Sequence, residues 1–139
     1  IAFEHARTRQ VALACISVYR VKNALILSLS EPPYSIKSCL KIGKNINPSR
    51  FRANLLIDEG NRWEEFNWIG KKVSVGECVL EVFKRTQRCA ATNVNPENAI
   101  RDINIPNEIN THYGHFDLGV YARVIKTGLV SISDKLYIN

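Results

Sequence analysis

Short alternations of apolar and polar residues, broken at close intervals by turn residues, run through most of the chain and predict strands rather than helices. The clearest case is a hairpin: Val73 and Val75 alternate with polar neighbours, Gly76-Glu77 supplies the turn, and the apolar run 79–83 returns. Upstream, residues 11–19 are rich in Val, Ile, Ala and Tyr, and residues 24–29 are aliphatic, with Lys22-Asn23 between them. That pair predicts a hairpin or two adjacent strands, with a helix over 4–15 as the competing reading because alanine is frequent there. Glu31-Pro32-Pro33 then stops regular structure, since consecutive prolines remove backbone donors and fix the chain angle. Residues 36–40 fit a short helical or strand piece, and 43–49, with Asn45, Asn47 and Pro48, a loop.

Residues 50–57 read as the next strand, closed by the acidic turn Asp58-Glu59-Gly60. An extended backbone there would put Arg50, Arg52 and Asn54 on one face and Phe51, Ala53 and Leu55 on the other. Such a polar row suits either a ligand or the solvated side of an edge strand. Residues 61–68 hold both tryptophans and predict an irregular turn or short helix capping the core. Further on, 97–102 fits one helical turn, and 106–113 a short helix with Pro106 in its first turn and Gly114 as its stop. A polar loop over 115–119, strands over 120–125, 129–132 and 136–138, and turns at Lys126-Thr127-Gly128 and Ser133-Asp134 complete the pattern. Many short strands at regular spacing predict a mainly β fold, a barrel or strongly curved sheet with a few short helices.

Composition narrows the class. The 139 residues are 45% hydrophobic, enough for one domain with a core. The longest apolar stretches, 11–18 and 24–29, fall short of the roughly 20 residues that a bilayer-spanning helix needs. No secretory signal is visible, and the chain opens at Ile1 without any methionine, so a processed or missing N-terminal segment is expected. The net charge of +6 and pI near 9.3 suit an anionic partner. The cations fall in small groups (Arg7 and Arg9, Lys41 and Lys44, Arg50 and Arg52, Lys71 and Lys72, then Lys84, Arg85 and Arg88) without any nucleic-acid-binding motif. Scattered solvated charge and a small anionic ligand such as a phosphate-bearing cofactor account for these groups equally well. Four cysteines, at 15, 39, 78 and 89, show no C-x-x-C spacing and read as reduced thiols in a cytoplasmic setting.

One of those cysteines stands apart. In Lys84-Arg85-Thr86-Gln87-Arg88-Cys89-Ala90-Ala91-Thr92-Asn93-Val94-Asn95-Pro96, Cys89 lies among three cations and follows the second hairpin strand directly. A thiol acts as nucleophile or soft-metal ligand only as thiolate, and neighbouring cations favour the anion. On an extended backbone Arg85, Gln87 and Cys89 would face one way, and Thr86 and Arg88 the other. The plainer reading is a small core residue at a strand end. His112 and His115 flank Gly114, and with Asp117 they could approach a ligand from the loop or simply be solvated or capping.

Three motifs in order give the chain a resemblance to the MOSC domain, the family named for the C-terminal domain of molybdenum cofactor sulfurase. They are Arg50-Phe51-Arg52-Ala53-Asn54 with Asp58-Glu59-Gly60, then Arg88-Cys89-Ala90-Ala91-Thr92-Asn93-Val94-Asn95-Pro96, then Gly119-Val120-Tyr121 with Gly128 and Ser133-Asp134. The Trp63-Glu64-Glu65-Phe66 stretch and the hairpin lie between them. The resemblance implies a β-barrel of the MOSC, pyruvate-kinase-barrel-like kind over 34–139. Residues 1–33 match loosely the tail of an N-terminal β-rich region, and the whole forms one compact unit. It implies that Cys89 ligates molybdenum of the pterin cofactor or carries sulfur as a persulfide, and that Arg50, Arg52, Asn54, Arg88 and Thr92 bind the molybdenum cofactor (molybdopterin).

The activities implied are redox chemistry on N-hydroxylated or sulfur compounds with a partner supplying electrons, or sulfur transfer from a pyridoxal-phosphate-dependent desulfurase. A non-catalytic module docking cofactor or protein is the third possibility. Thiolate is a soft ligand suited to a sulfur-rich metal centre, and arginine is shaped to clamp phosphate through paired hydrogen bonds. Ser133-Asp134 stands where relatives usually have Gly-Asp, and the connection over 32–49 is shorter than theirs.

Overall fold

The computed structural model describes residues 9–12 and 24–29 as backbone, and residues 46–57, 61–131 and 134–139 with their side chains. Seven strands are present among them: β1 (Arg9–Ala12), β2 (Ala24–Leu29), β3 (Leu55–Ile57), β4 (Lys72–Val75), β5 (Cys78–Gln87), β6 (Asp117–Lys126) and β7 (Lys135–Ile138). They pair in the order β1-β3-β2-β6-β5-β4-β7, and β7 returns to β1 to close a barrel. Every pairing is antiparallel except β2 with β3. Closure leaves no open sheet edge, which is how an all-β domain of short strands avoids pairing with other chains.

The interior follows from the period-two pattern. Val73 and Val75 of β4, Leu80 and Val82 of β5, Val120 and Ala122 of β6 and Leu136 of β7 are fully buried, with Leu55, Ile57 and Trp68 packed among them. A second, smaller core gathers Ile46, Phe51, Ile105, Ile109 and Leu118, flanked by Trp63, Ile103 and Tyr113. It lies beneath helix α1 (Ile105–Tyr113), which runs as expected from Pro106 in its first turn to Gly114, a left-handed cap with φ of 72°.

The predicted β4–β5 hairpin is present, with Gly76-Glu77 as its turn. Residues 64–68 form the expected short helical piece, a 310 turn. Five local expectations are corrected. β1 and β2 are not neighbours, because β3, buried at all three positions, inserts between them. Residues 48–51 form a 310 turn rather than a strand: Asn47 caps it through the Ser49 N–H and Pro48 suits its first position. Residues 129–131 are not a strand; Leu129 instead exchanges hydrogen bonds with Glu77 of the hairpin turn through backbone and carboxylate. The helical turn expected over 97–102 is replaced by a tight turn closed by a Val94–Arg101 bridge, and the loop over 115–119 is shortened because β6 already begins at Asp117.

The competing reading of 4–15 as helix fails where it is described, since Arg9–Ala12 is strand β1; the readings of 36–40 as an element, 43–45 as loop, and the Asp58-Glu59-Gly60 and Ser133 turns lie outside the described residues, as do Cys15 and Cys39. Most of 11–19 does too. Among the described residues no helix is long and apolar enough to cross a membrane.

Candidate functional site

The end of β5 delivers the site. From Arg85 onward the alternation is the one the sequence predicts: Arg85, Gln87 and Cys89 are exposed, Thr86 and Arg88 buried. Cys89, a free thiol, starts the 310 turn at Ala90–Asn93 with an extended backbone. Its carbonyl accepts from the Thr92 N–H at 3.1 Å and the Thr92 hydroxyl at 2.8 Å. The turn is thus folded onto the backbone of Cys89 while the thiol is left open to solvent.

Arg88, the residue before it, points the other way, into the interior. Only 7% exposed, it donates from Nε to the Leu118 carbonyl at 2.7 Å and from Nη1 to the Phe51 carbonyl at 2.8 Å, and its guanidinium lies 5.3 Å over the Phe51 ring. Its own N–H reaches the Phe116 carbonyl at 2.8 Å. One side chain therefore joins the ends of β5 and β6 to the 310 turn at Pro48–Phe51. Burial pushes its pKa down to about 10, while Tyr121, Cys89 and Glu65 act the other way. Its Nη2 is buried with no hydrogen-bond partner among the described residues.

Arg50, 6% exposed, is the second buried cation. Its Nη2 meets Asp102 Oδ2 at 2.7 Å and its Nη1 donates to the Asn93 carbonyl at 3.1 Å. Hydrogen bonding from Arg50 holds the Asp102 carboxyl below the usual carboxylate range. The asparagines of the motif lock the same loop: Asn93 Oδ1 accepts the Ile105 N–H at the start of α1, and Asn95 Nδ2 reaches Asp102. Arg52 is exposed, in a left-handed conformation (φ 49°) at the end of its turn, and Asn54 is half-buried. The row of Arg50, Arg52 and Asn54 along one strand face does not form, because the chain turns at 48–52.

Sequence reasoning missed Glu65, Asp102 and the position of Arg85. Glu65 is 1% exposed, and burial pushes its pKa up to about 7. Its place between two aromatics in Trp63-Glu64-Glu65-Phe66 was the one available signal. Arg85 lies 4.3 Å over the Phe66 ring, which stacks on Trp63 in a cluster with Tyr113 and His115. The histidines serve the fold: His115 Nδ1 accepts the Asp117 N–H, and His112 faces Glu108 one turn away.

The donor set can be tested against a metal cofactor. Among the described residues no three His, Cys, Asp or Glu side chains cluster, so a bare ion finds no protein cage there. A single open thiol among cations fits a soft metal that brings its remaining ligands with it. The exposed Arg52 and Arg85 fit an anionic carrier for that metal.

A model of the MOSC domain matches residues 9–137. Solved structures of similar fold include YiiM from Geobacillus stearothermophilus, 15% identical at a TM-score of 0.57 over 81% of this chain and 53% of that one. YiiM from Escherichia coli is 17% identical at a TM-score of 0.59, over 96% of this chain and 70% of that one. A structure described as a hypothetical protein is 16% identical at 0.62, over 96% and 68%. The chain thus spans about half the length of the Geobacillus protein, and at these identities the likeness is one of fold. No curated protein matches it.

Proposed function

Given that this chain belongs to the MOSC domain family, we propose that it binds the molybdenum cofactor and that the Cys89 thiolate is the protein's ligand to the metal. The observation that carries this reading is the outward Cys89 thiol at the head of a locked turn, directly after an inward arginine that anchors the strand end. Arg52, the exposed cation of the first motif, and Asn54 contact the anionic pterin. Arg50, Arg88 and Thr92 hold the walls. The bound cofactor would supply a two-electron redox centre for N-hydroxylated or sulfur compounds, with electrons from a partner. The chain's own contribution is to present one soft ligand in fixed orientation and to neutralise an anion.

A second reading is favoured by a specific observation: most donors of Arg50 and Arg88 are already taken by carbonyls and Asp102, leaving few for a phosphate. Cys89 would then be a sulfur carrier. Its thiolate attacks the outer sulfur of a persulfide on a pyridoxal-phosphate-dependent desulfurase; the S–S bond to the partner cysteine breaks, that cysteine leaves as thiolate, and Cys89 becomes the persulfide.

Metal analysis of protein produced together with the cofactor decides. Stoichiometric molybdenum that is lost in Cys89→Ala supports ligation, whereas cyanide-labile sulfur without molybdenum supports the carrier. Cofactor retained unchanged in Cys89→Ala reduces the domain to a docking module. Arg52→Ala is expected to weaken cofactor binding by about 1.5–3 kcal/mol, the scale of a hydrogen bond to a charged group; wild-type affinity would remove Arg52 from the site.

A further inference from the structure

β5 and β6 fall out of register near the site: Arg85 pairs with Val120 and Gln87 with Asp117, so Leu118 and Gly119 together face Thr86. This is a bulge, and Gly119 within it has a positive φ of 81°, a conformation that favours glycine. The peptide bond between these two residues is gripped at both ends by side chains. Its carbonyl, from Leu118, accepts from Arg88 Nε at 2.7 Å; its N–H, from Gly119, donates to Glu65 Oε1 at 3.2 Å. The peptide dipole therefore lies along the line from carboxylate to guanidinium, with its positive end at Glu65 and its negative end at Arg88. Hydrogen bonds arranged in this way strengthen one another in a low dielectric.

We propose that Glu65 is a positioning residue for Cys89, acting through the Leu118–Gly119 peptide and Arg88 to anchor the end of β5 from which the thiol projects. Glu65 and Arg88 do not meet directly. Glu65 Oε2 and Arg88 Nη2 are each buried without a partner among the described residues, and the peptide is the link between them. Without an acceptor at Glu65 the Gly119 N–H is buried and unsatisfied, and the peptide is free to turn. Turning it withdraws the Leu118 carbonyl from Arg88, whose next residue is Cys89. The charged groups facing Glu65 are Arg88 at the end of β5 and Glu64 on its own turn; Arg88 in turn faces Tyr121 of β6 and Cys89. The proposal rests on Cys89 being the functional thiol only for what is positioned. Its tests need no molybdenum, so they succeed or fail separately from the cofactor assignment.

Side-chain and amide NMR of the 15N-labelled full chain supplies the test, with site-resolved alkylation of Cys89. In the wild type the Gly119 amide proton is expected to titrate with a midpoint near pH 7, following the carboxylate it donates to. In Glu65→Gln, which keeps an acceptor but not the charge, that titration vanishes while exchange of the Arg88 Nε–H stays within about twofold of wild type. In Glu65→Ala the same proton exchanges at least about tenfold faster and Cys89 alkylation departs from the wild-type rate. Arg88 exchange and Cys89 alkylation both unchanged in Glu65→Ala would overturn the proposal. If Glu65→Ala does not fold, Glu65→Asp, whose carboxylate is one methylene shorter, decides by the same two readouts: faster Arg88 Nε–H exchange with altered Cys89 alkylation supports the proposal, and both unchanged overturn it.

Discussion

Two buried arginines flank the Cys89 turn, and they are stabilised in opposite ways. Arg50 meets a carboxylate directly, at the solvent edge, through Asp102. Arg88 meets backbone carbonyls, and its nearest buried acid reaches it only through a peptide group. The acids show the contrast: the Asp102 carboxyl is held low by its hydrogen bond to Arg50, and the Glu65 carboxyl is driven up by burial. The two cations are equally buried, so the difference lies in their partners: Arg50 reaches a carboxylate that is itself part-exposed and ties two loops together. Arg88 relies on fixed backbone dipoles, and so it fixes the geometry of the segments that supply them.

The largest effect should come from removing Arg88, whose partners are fixed backbone carbonyls. Arg88→Ala leaves the Leu118 and Phe51 carbonyls without their donor and Glu65 without its counter-charge, and is expected to cost about 3–5 kcal/mol in urea unfolding. Arg88→Lys should recover only part of this, because an ammonium cannot reach two carbonyls in the fork geometry of a guanidinium. Full recovery by lysine would mean that charge alone matters there.

Next in size is the pH response of Glu65. Its folded pKa, about 7, lies above that of the unfolded chain, so the native state holds a proton that the unfolded state has released between about pH 4.5 and 7. Stability therefore falls as pH rises through that window, by about 3 kcal/mol from this group. Glu65→Gln should flatten the profile there, as read by unfolding at fixed pH values; an unchanged slope would assign it to another group. Asp102 has the opposite sign and a smaller effect. Its folded pKa is depressed, so its contribution is present at neutral pH and lost on acidification through that lowered value. Asp102→Asn should remove acid-side dependence while leaving the Glu65 window intact.

The same contrast separates what the chain reveals from what it conceals. The β4–β5 hairpin, helix α1 and the facing of residues 85–89 were legible because each depends on local pattern: Val73 and Val75, Pro106 to Gly114, and the two-residue period of an extended strand. The placing of β3 between β1 and β2 was not, since all three of its residues are buried and carry no alternation to mark a partner. The Arg50–Asn54 row misled because Arg, Phe, Arg, Ala alternate like a strand, whereas Asn47 and Pro48 start a helical turn. Glu65 was hidden for a further reason. Its partner is a peptide group 54 residues away, at a bulge that no periodicity announces. Of the candidate site, then, the thiol and its outward facing could be read, and the anchoring of its strand end could not.

The most direct measurement compares alkylation of Cys89 in protein prepared with and without the molybdenum cofactor, with Cys78 as the internal control, since its thiol donates to the Gly128 carbonyl on the far side of the β4–β5 turn. Cys89 is predicted to react readily in cofactor-free protein and to be protected once the cofactor is bound, while Cys78 reacts alike in both. Equal reactivity of Cys89 in the two preparations, with cofactor shown to be present in one, would contradict its assignment as the metal's ligand.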